Sequence, residues 1–220
     1  MKRIQQVSLS LFLLLLQKAR QDRQRYWDCM KWLGVTVLLS LVLCAAFLTA
    51  CGNDVASTPK VTVEEPSFTA VLPKGYELQE ESLNFLDASI PCKLYYYTGE
   101  NDIFMLMYAD YGAMFESLST ETGMDLGQYT KGASDSTISG AIAGTGLFTI
   151  GDKSAGKIGN VDAAVYPISK IQDTVAKGYV GGFLDEKGRM ILMAYAAAPS
   201  AYSEKDYQEY FEGFHWNEAQ

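Results

Sequence analysis

The chain has 220 residues, 48% hydrophobic and 20% charged, with a formal net charge of −8. That charge is unevenly placed: residues 1–51 hold 7 Lys/Arg against 2 Asp/Glu, and residues 52–220 hold 11 against 24. An acidic body weighs against nucleic acid as a partner, because phosphate binding needs a basic patch, and a basic leader before it marks a targeting segment.

The leader comes first. "WLGVTVLLSLVLCAAFLTA", Trp32–Ala50, is 19 residues without a charge, long enough to span a bilayer. Lys31 precedes it as a positive n-region, and Thr49 and Ala50 supply small residues at its end, as a cleavage site requires. No basic stop-transfer cluster follows, since the first Lys is Lys60. "Leu48-Thr49-Ala50-Cys51" resembles the lipobox of bacterial lipoproteins. The resemblance implies cleavage between Ala50 and Cys51 and a diacylglycerol on the Cys51 thiol. Two acyl chains at one residue give durable membrane attachment. The expected location is the extracytoplasmic face of the cell membrane. Residues 1–29 hold the ten-residue apolar run Val7–Leu16, too short to span, then the basic run Lys18–Arg25. Met30-Lys31 would itself open a signal peptide over residues 30–50. Residues 1–29 are therefore expected to be an upstream extension or an extended n-region. Of Cys29, Cys44, Cys51 and Cys92, only Cys92 then remains as a free thiol. The body must be held by its core rather than by disulfides.

Residues 51–66, ending "GNDVASTPKVTVEEP", are small, polar and proline-bounded, and read as a flexible tether. The folded domain is expected over 67–220. Phe68, Val71 and Leu72 suit a strand, and Pro73-Lys74-Gly75 a turn. "CKLYYY" (Cys92–Tyr97) and "DIFMLMYA" (Asp102–Ala109) form a hairpin, the second strand apolar enough to be covered on both faces. Residues 123–142 suggest a helix weakened by its glycines, with small residues Gly132, Ala133, Ser136 and Gly140 on one face. Four strands follow, over 144–152, 160–170, 176–186 and 189–197, the last two joined by a turn at Asp185–Gly188. Ser203 then caps a helix, with Asp206 three residues on. Tyr207, Tyr210, Phe211 and Phe214 share one face of it, at core-packing spacing. This order predicts an α+β fold, an antiparallel sheet covered by helices.

"FTAVLPKGY" (Phe68–Tyr76) resembles the opening of PsbP-like domains, and residues 178–216 resemble their closing hairpin, strand and aromatic helix. "GKIGNVDAAVYPIS" (Gly156–Ser169) resembles the strand before that module. The resemblance implies an α/β/α sandwich and a binding or assembly role without catalysis.

No motif carries chemistry strongly. "GDKSAGK" (Gly151–Lys157) matches the first part of a P-loop, but Ile158 stands where Ser or Thr should reach magnesium, and a strand pattern follows where a helix is needed. Ser154–Lys157 also fits S-x-x-K, yet the chain holds neither S-D-N nor K-T-G. His215 is the sole histidine, so no metal set and no cofactor are expected. Carboxylate pairs such as Glu80-Glu81 and Asp185-Glu186 read as solvated charge. Tyr95, Tyr96 and Tyr97 must place at least one ring on each face of their strand, and are the candidate contact patch. The expected function is binding or assembly with a protein or envelope component. The alternative is an envelope hydrolase with a carboxylate-based site.

Overall fold

The computed structural model describes residues 58–85, 88–123 and 127–217. The signal peptide, Ala50, Cys51 and the residues before 58 lie outside them. The elements run β1 (Lys60–Glu64), β2 (Phe68–Pro73), β3 (Glu77–Phe85), β4 (Ala88–Thr98), β5 (Asp102–Asp110), α1 (Gly112–Thr122), α2 (Gly127–Thr145), β6 (Phe148–Ile150), β7 (Ser154–Ile158), β8 (Val161–Ile171), β9 (Thr174–Leu184), β10 (Arg189–Ala197), α3 (Glu204–Glu212) and β11 (His215–Trp216).

Every strand pairing is antiparallel. A large sheet has the order β3-β4-β5-β10-β9-β8-β6, with β7 also on β8, and a small sheet has the order β1-β2-β11. The α+β class expected from the strand pattern holds, with few helices. Strands β5 and β10 are central because they are apolar on both faces: from Met190 to Ala197 every residue of β10 is buried.

Consecutive glycines on β9 show how the two faces are used. A methyl group at Gly181 would touch the Phe211 ring of α3, and one at Gly182 would touch Ile138 of α2. Neighbouring strand residues point to opposite faces, so α3 packs on one face and α2 on the other. The α3 face is also closed by the small sheet. Its core joins Phe68 and Leu72 of β2 to Tyr95, Phe104, Met193 and Phe211.

Two expectations need correction. Strand β1 occupies 60–64, inside the stretch read as tether, because Lys60–Glu64 pairs residue for residue with Pro73–Thr69. A helix, α1, follows β5 where none was expected. It ends at Gly123, whose φ of 66° is the left-handed cap and whose N–H donates to Ser119 O at 2.8 Å. In α2, Ile138 and Ile142 are buried while Ser136 and Gly140 are exposed, so the exposed part of the small-residue face is not what packs. Met124 and Leu126, apolar residues of the stretch expected to be helical, lie outside the described residues. For α3 the cap and the stripe hold: Ser203 Oγ accepts from Asp206 N at 3.1 Å, and Tyr210, Phe211 and Phe214 are buried. Tyr207 is the exception, half-buried at the surface.

Candidate functional site

The first described residues are clamped to α3 and β5. The Thr58 hydroxyl donates to Asp102 Oδ2 at 3.2 Å, and Lys74 N donates to Pro59 O at 2.6 Å. Lys60 Nζ lies 2.5 Å from Asp206 Oδ1 and 2.7 Å from Glu209 Oε2, and 5.3 Å from the Tyr210 ring centroid. Burial pulls the Lys60 ammonium down, but hydrogen bonds to Asp206 and Glu209 outweigh it and hold the group above its ordinary value. The Asp102 carboxyl is raised as well: burial and the Asp206 charge raise it, against the Thr58 hydrogen bond.

Beside this clamp the aromatic rings come to the surface. Tyr179 and Tyr207 have centroids 4.6 Å apart, and Tyr207 continues inward to Phe211 at 4.6 Å. Tyr202 lies 5.9 Å from buried Tyr195. The Lys177 ammonium sits 4.4 Å from the centroid of the Tyr202 ring. Tyr179, Tyr202 and Tyr207 are all half-buried, and Lys177 is exposed. Their proximity registers in their acidities: burial first, then Tyr179 and Glu204, push Tyr207 up to about 12. Tyr202 is also raised, by burial and by the Glu204 carboxylate that accepts its hydroxyl at 2.9 Å.

These rings meet through register. Lys177 pairs with Ala197 and Ala197 pairs with Asp102, so the three residues form one row across β9, β10 and β5. The pairing of β8 with β9 slips between Ile168 and Lys170. The bulge falls on β9 at Ala176 and Lys177, where extra twist re-aims side chains.

Two further charged networks are structural ties. Glu65 accepts from Tyr95 at 2.5 Å and from Lys93 at 2.7 Å, and Lys93 also reaches Glu80 at 2.9 Å. Asp185 accepts from Arg189 Nε at 2.7 Å and from the N–H groups of Lys187 and Arg189. The Arg189 guanidinium in turn lies 3.9 Å over the Trp216 ring. Three carboxylates that the sequence marked as solvated pairs therefore have partners: Glu80 binds Lys93, Glu81 accepts from Gln79, and Asp185 organises the β9–β10 turn. A hydrolytic pair would need carboxylates facing a common substrate, and these face their own clamps.

The candidate patch Tyr95–Tyr97 divides. Tyr95 is 0% exposed and is withdrawn into the core. Tyr97 packs half-buried against that same core, and Tyr96 points the other way and donates to Glu77. A second half-buried aromatic group lies on β9, on α3 and in the loop before α3. Its signal in the sequence was Tyr207, the stripe member nearest the cap, but Tyr179 and Tyr202 join it only through tertiary pairing. Gly151–Lys157 folds as a loop and β7, with no helix behind it. His215 is exposed on β11, and Cys92 is half-buried with a thiol pushed up to about 11 by burial and by Glu81. Among the described residues no group of three His, Cys, Asp or Glu side chains could hold a metal ion, and no helix is long and apolar enough to cross a membrane.

No protein-family model matches the chain, and no curated protein matches it. Among solved structures it is similar to the solution structure of cyanobacterial PsbP (CyanoP) from Synechocystis sp. PCC 6803. The identity is 13% and the TM-score 0.42, over 77% of this chain and 99% of that one.

Proposed function

We propose that the chain is an extracytoplasmic lipoprotein, held to the cell membrane by diacylglycerol on Cys51, whose domain is a binding or assembly module for a protein or envelope component. The observation that carries the binding role is the surface group Tyr179, Tyr202 and Tyr207 with Lys177. Such rings combine apolar area with a polar tip, and contact surfaces are enriched in them. The lipobox-like "Leu48-Thr49-Ala50-Cys51" supports the attachment. The finer fold assignment, a PsbP-like α/β/α sandwich, belongs to the same proposal. Its support is that the segments carrying the resemblance form β2 with its turn, and β9, β10, α3 and β11.

Photo-crosslinking tests the binding role. A crosslinking residue in place of Tyr207, in the full chain in intact envelopes, should give adducts with protein or lipid. Asp162, whose side chain is 94% exposed, is the control position at the other end of the sheet. Adducts no more frequent at 207 than at 162 would sink the proposal.

A further inference from the structure

The tyrosine group and the first described residues lie at the same end of the large sheet. Thr58 is bonded to Asp102, and Asp102, Ala197 and Lys177 are successive partners across three strands. Two strand spacings put Lys177 about 10 Å from Asp102 along that row. Tyr202 lies beneath the Lys177 ammonium. The opposite end of the sheet, at Asp185–Arg189, is about 26 Å away along β9.

The lipid attachment acts on this end. Six residues separate Cys51 from Thr58, and fully extended the seven Cα–Cα steps reach no more than about 25 Å. From Thr58 onward the chain is fixed by Asp102, Lys74, Asp206 and Glu209. A domain leashed so briefly at one end keeps that end at the bilayer surface.

We infer that Tyr179, Tyr202, Tyr207 and Lys177 rest in the phospholipid headgroup layer, so that the domain stands on the membrane by its tether end. This names the partner of the surface proposed above and rests on lipidation of Cys51. Tyrosine suits that layer, with the ring toward the acyl boundary and the hydroxyl in water. A lysine there lays its stem on apolar surface and sends its ammonium to the phosphates. The acidic body opposes contact with anionic lipid elsewhere. At this end Asp206 and Glu209 are matched by Lys60 and Lys205, and Glu204 accepts from Tyr202.

Depth-dependent quenching tests the inference. The lipidated full chain, carrying Cys92→Ser, receives one fluorophore at Val175→Cys or at Lys187→Cys. Val175 is 61% exposed, two residues before Lys177, and Lys187 is exposed in the far turn. In vesicles of phosphatidylethanolamine and phosphatidylglycerol with a headgroup-level spin label, the 175 probe should be quenched and the 187 probe should not. Adding Tyr179→Ser and Tyr207→Ser should relieve the quenching while the chain stays on the vesicles, with an unchanged unfolding transition. Equal quenching at both positions, or none at 175, in protein that carries fatty acid overturns the docking and leaves the attachment standing. Shielding of the 175 probe in native envelopes but not in these vesicles also overturns it, in favour of a protein partner. Failure to incorporate fatty acid overturns the attachment and the docking together.

Discussion

Lys60 Nζ and Asp206 Oδ1 lie 2.5 Å apart, with side chains 15% and 5% exposed. The pair joins the first strand of the small sheet to the helix that closes the core of the large one. With the Thr58–Asp102 bond, it passes a pull on the leading segment into the domain. Glu209 takes the same ammonium from the next turn of α3, so one lysine holds two carboxylates on one helix.

Replacing Lys60 by Met should therefore cost more than a surface ion pair. It leaves the Asp206 carboxylate buried without its ammonium, and breaking a buried pair from one side costs about 3 kcal/mol. The double variant Lys60→Met/Asp206→Leu removes both charges and should recover most of that loss. Urea unfolding of the three proteins measures it, and equal midpoints for the single and double variants would refute the coupling.

The Glu65 network sets an acid limit. Burial raises the Glu65 carboxyl, but hydrogen bonds from Lys93 and Tyr95 prevail and hold it below its ordinary value of 4.5. A depressed carboxyl contributes stability that is full above its unfolded value and lost as pH falls through the folded one. Stability should thus decline below about pH 4.5, and Glu65→Gln should flatten that decline. Lys93 is raised above 10.5, first by its bonds to Glu65 and Glu80. Its contribution is present below 10.5 and lost as pH rises through the higher folded value. Thermal unfolding across the pH range checks both limbs.

The central strands were legible because they carry their own environment in their composition. Ile103–Leu106 and Met190–Ala197 are apolar without alternation, which only a strand covered on both faces tolerates. Helix α3 was legible from Ser203 and the Tyr207–Phe214 spacing. Strand β1 was not, because "KVTVE" is short and polar and owes its place to pairing with β2 and to Lys60 meeting α3. Helix α1 was missed because Gly112–Thr122 opens on Gly and holds two Ser and two Thr, poor helix formers whose local preference tertiary context overrides. The tyrosine surface was hidden for a third reason. Alternation says that Tyr95 and Tyr96 face opposite ways, but not which face meets the core. Tyr179, Tyr202 and Tyr207 meet because Lys177 pairs with Ala197, a non-local fact.

Cys92 should be a slow thiol. Burial and Glu81 raise it from 9.0 to about 11, and the thiolate is the reactive form. Two units reduce the thiolate fraction near neutral pH about 100-fold. Alkylation of the native chain, followed at the Cys92 peptide by mass spectrometry, should be slower than in urea by about that factor. Comparable rates would show that the strand opens at Cys92.

Two glycine-to-alanine substitutions should have opposite signs. Gly159 turns β7 into β8 with φ of 59°, and its N–H donates to Phe211 O at 2.6 Å. A methyl group there would stand 1.8 Å from the Phe214 carbonyl oxygen. The left-handed backbone and the close approach both demand glycine, so Gly159→Ala should destabilise by more than about 2 kcal/mol. It should do so by prising the β7–β8 hairpin from the end of α3. Gly140 lies exposed on α2, and a methyl group there meets nothing within 4 Å. Gly140→Ala should stabilise by about 0.5–1 kcal/mol, the propensity difference between the two residues in a helix. Chemical unfolding of both variants decides. A neutral Gly159→Ala would mean that the turn does not seat against Phe214, and a destabilising Gly140→Ala would mean that this face of α2 is covered.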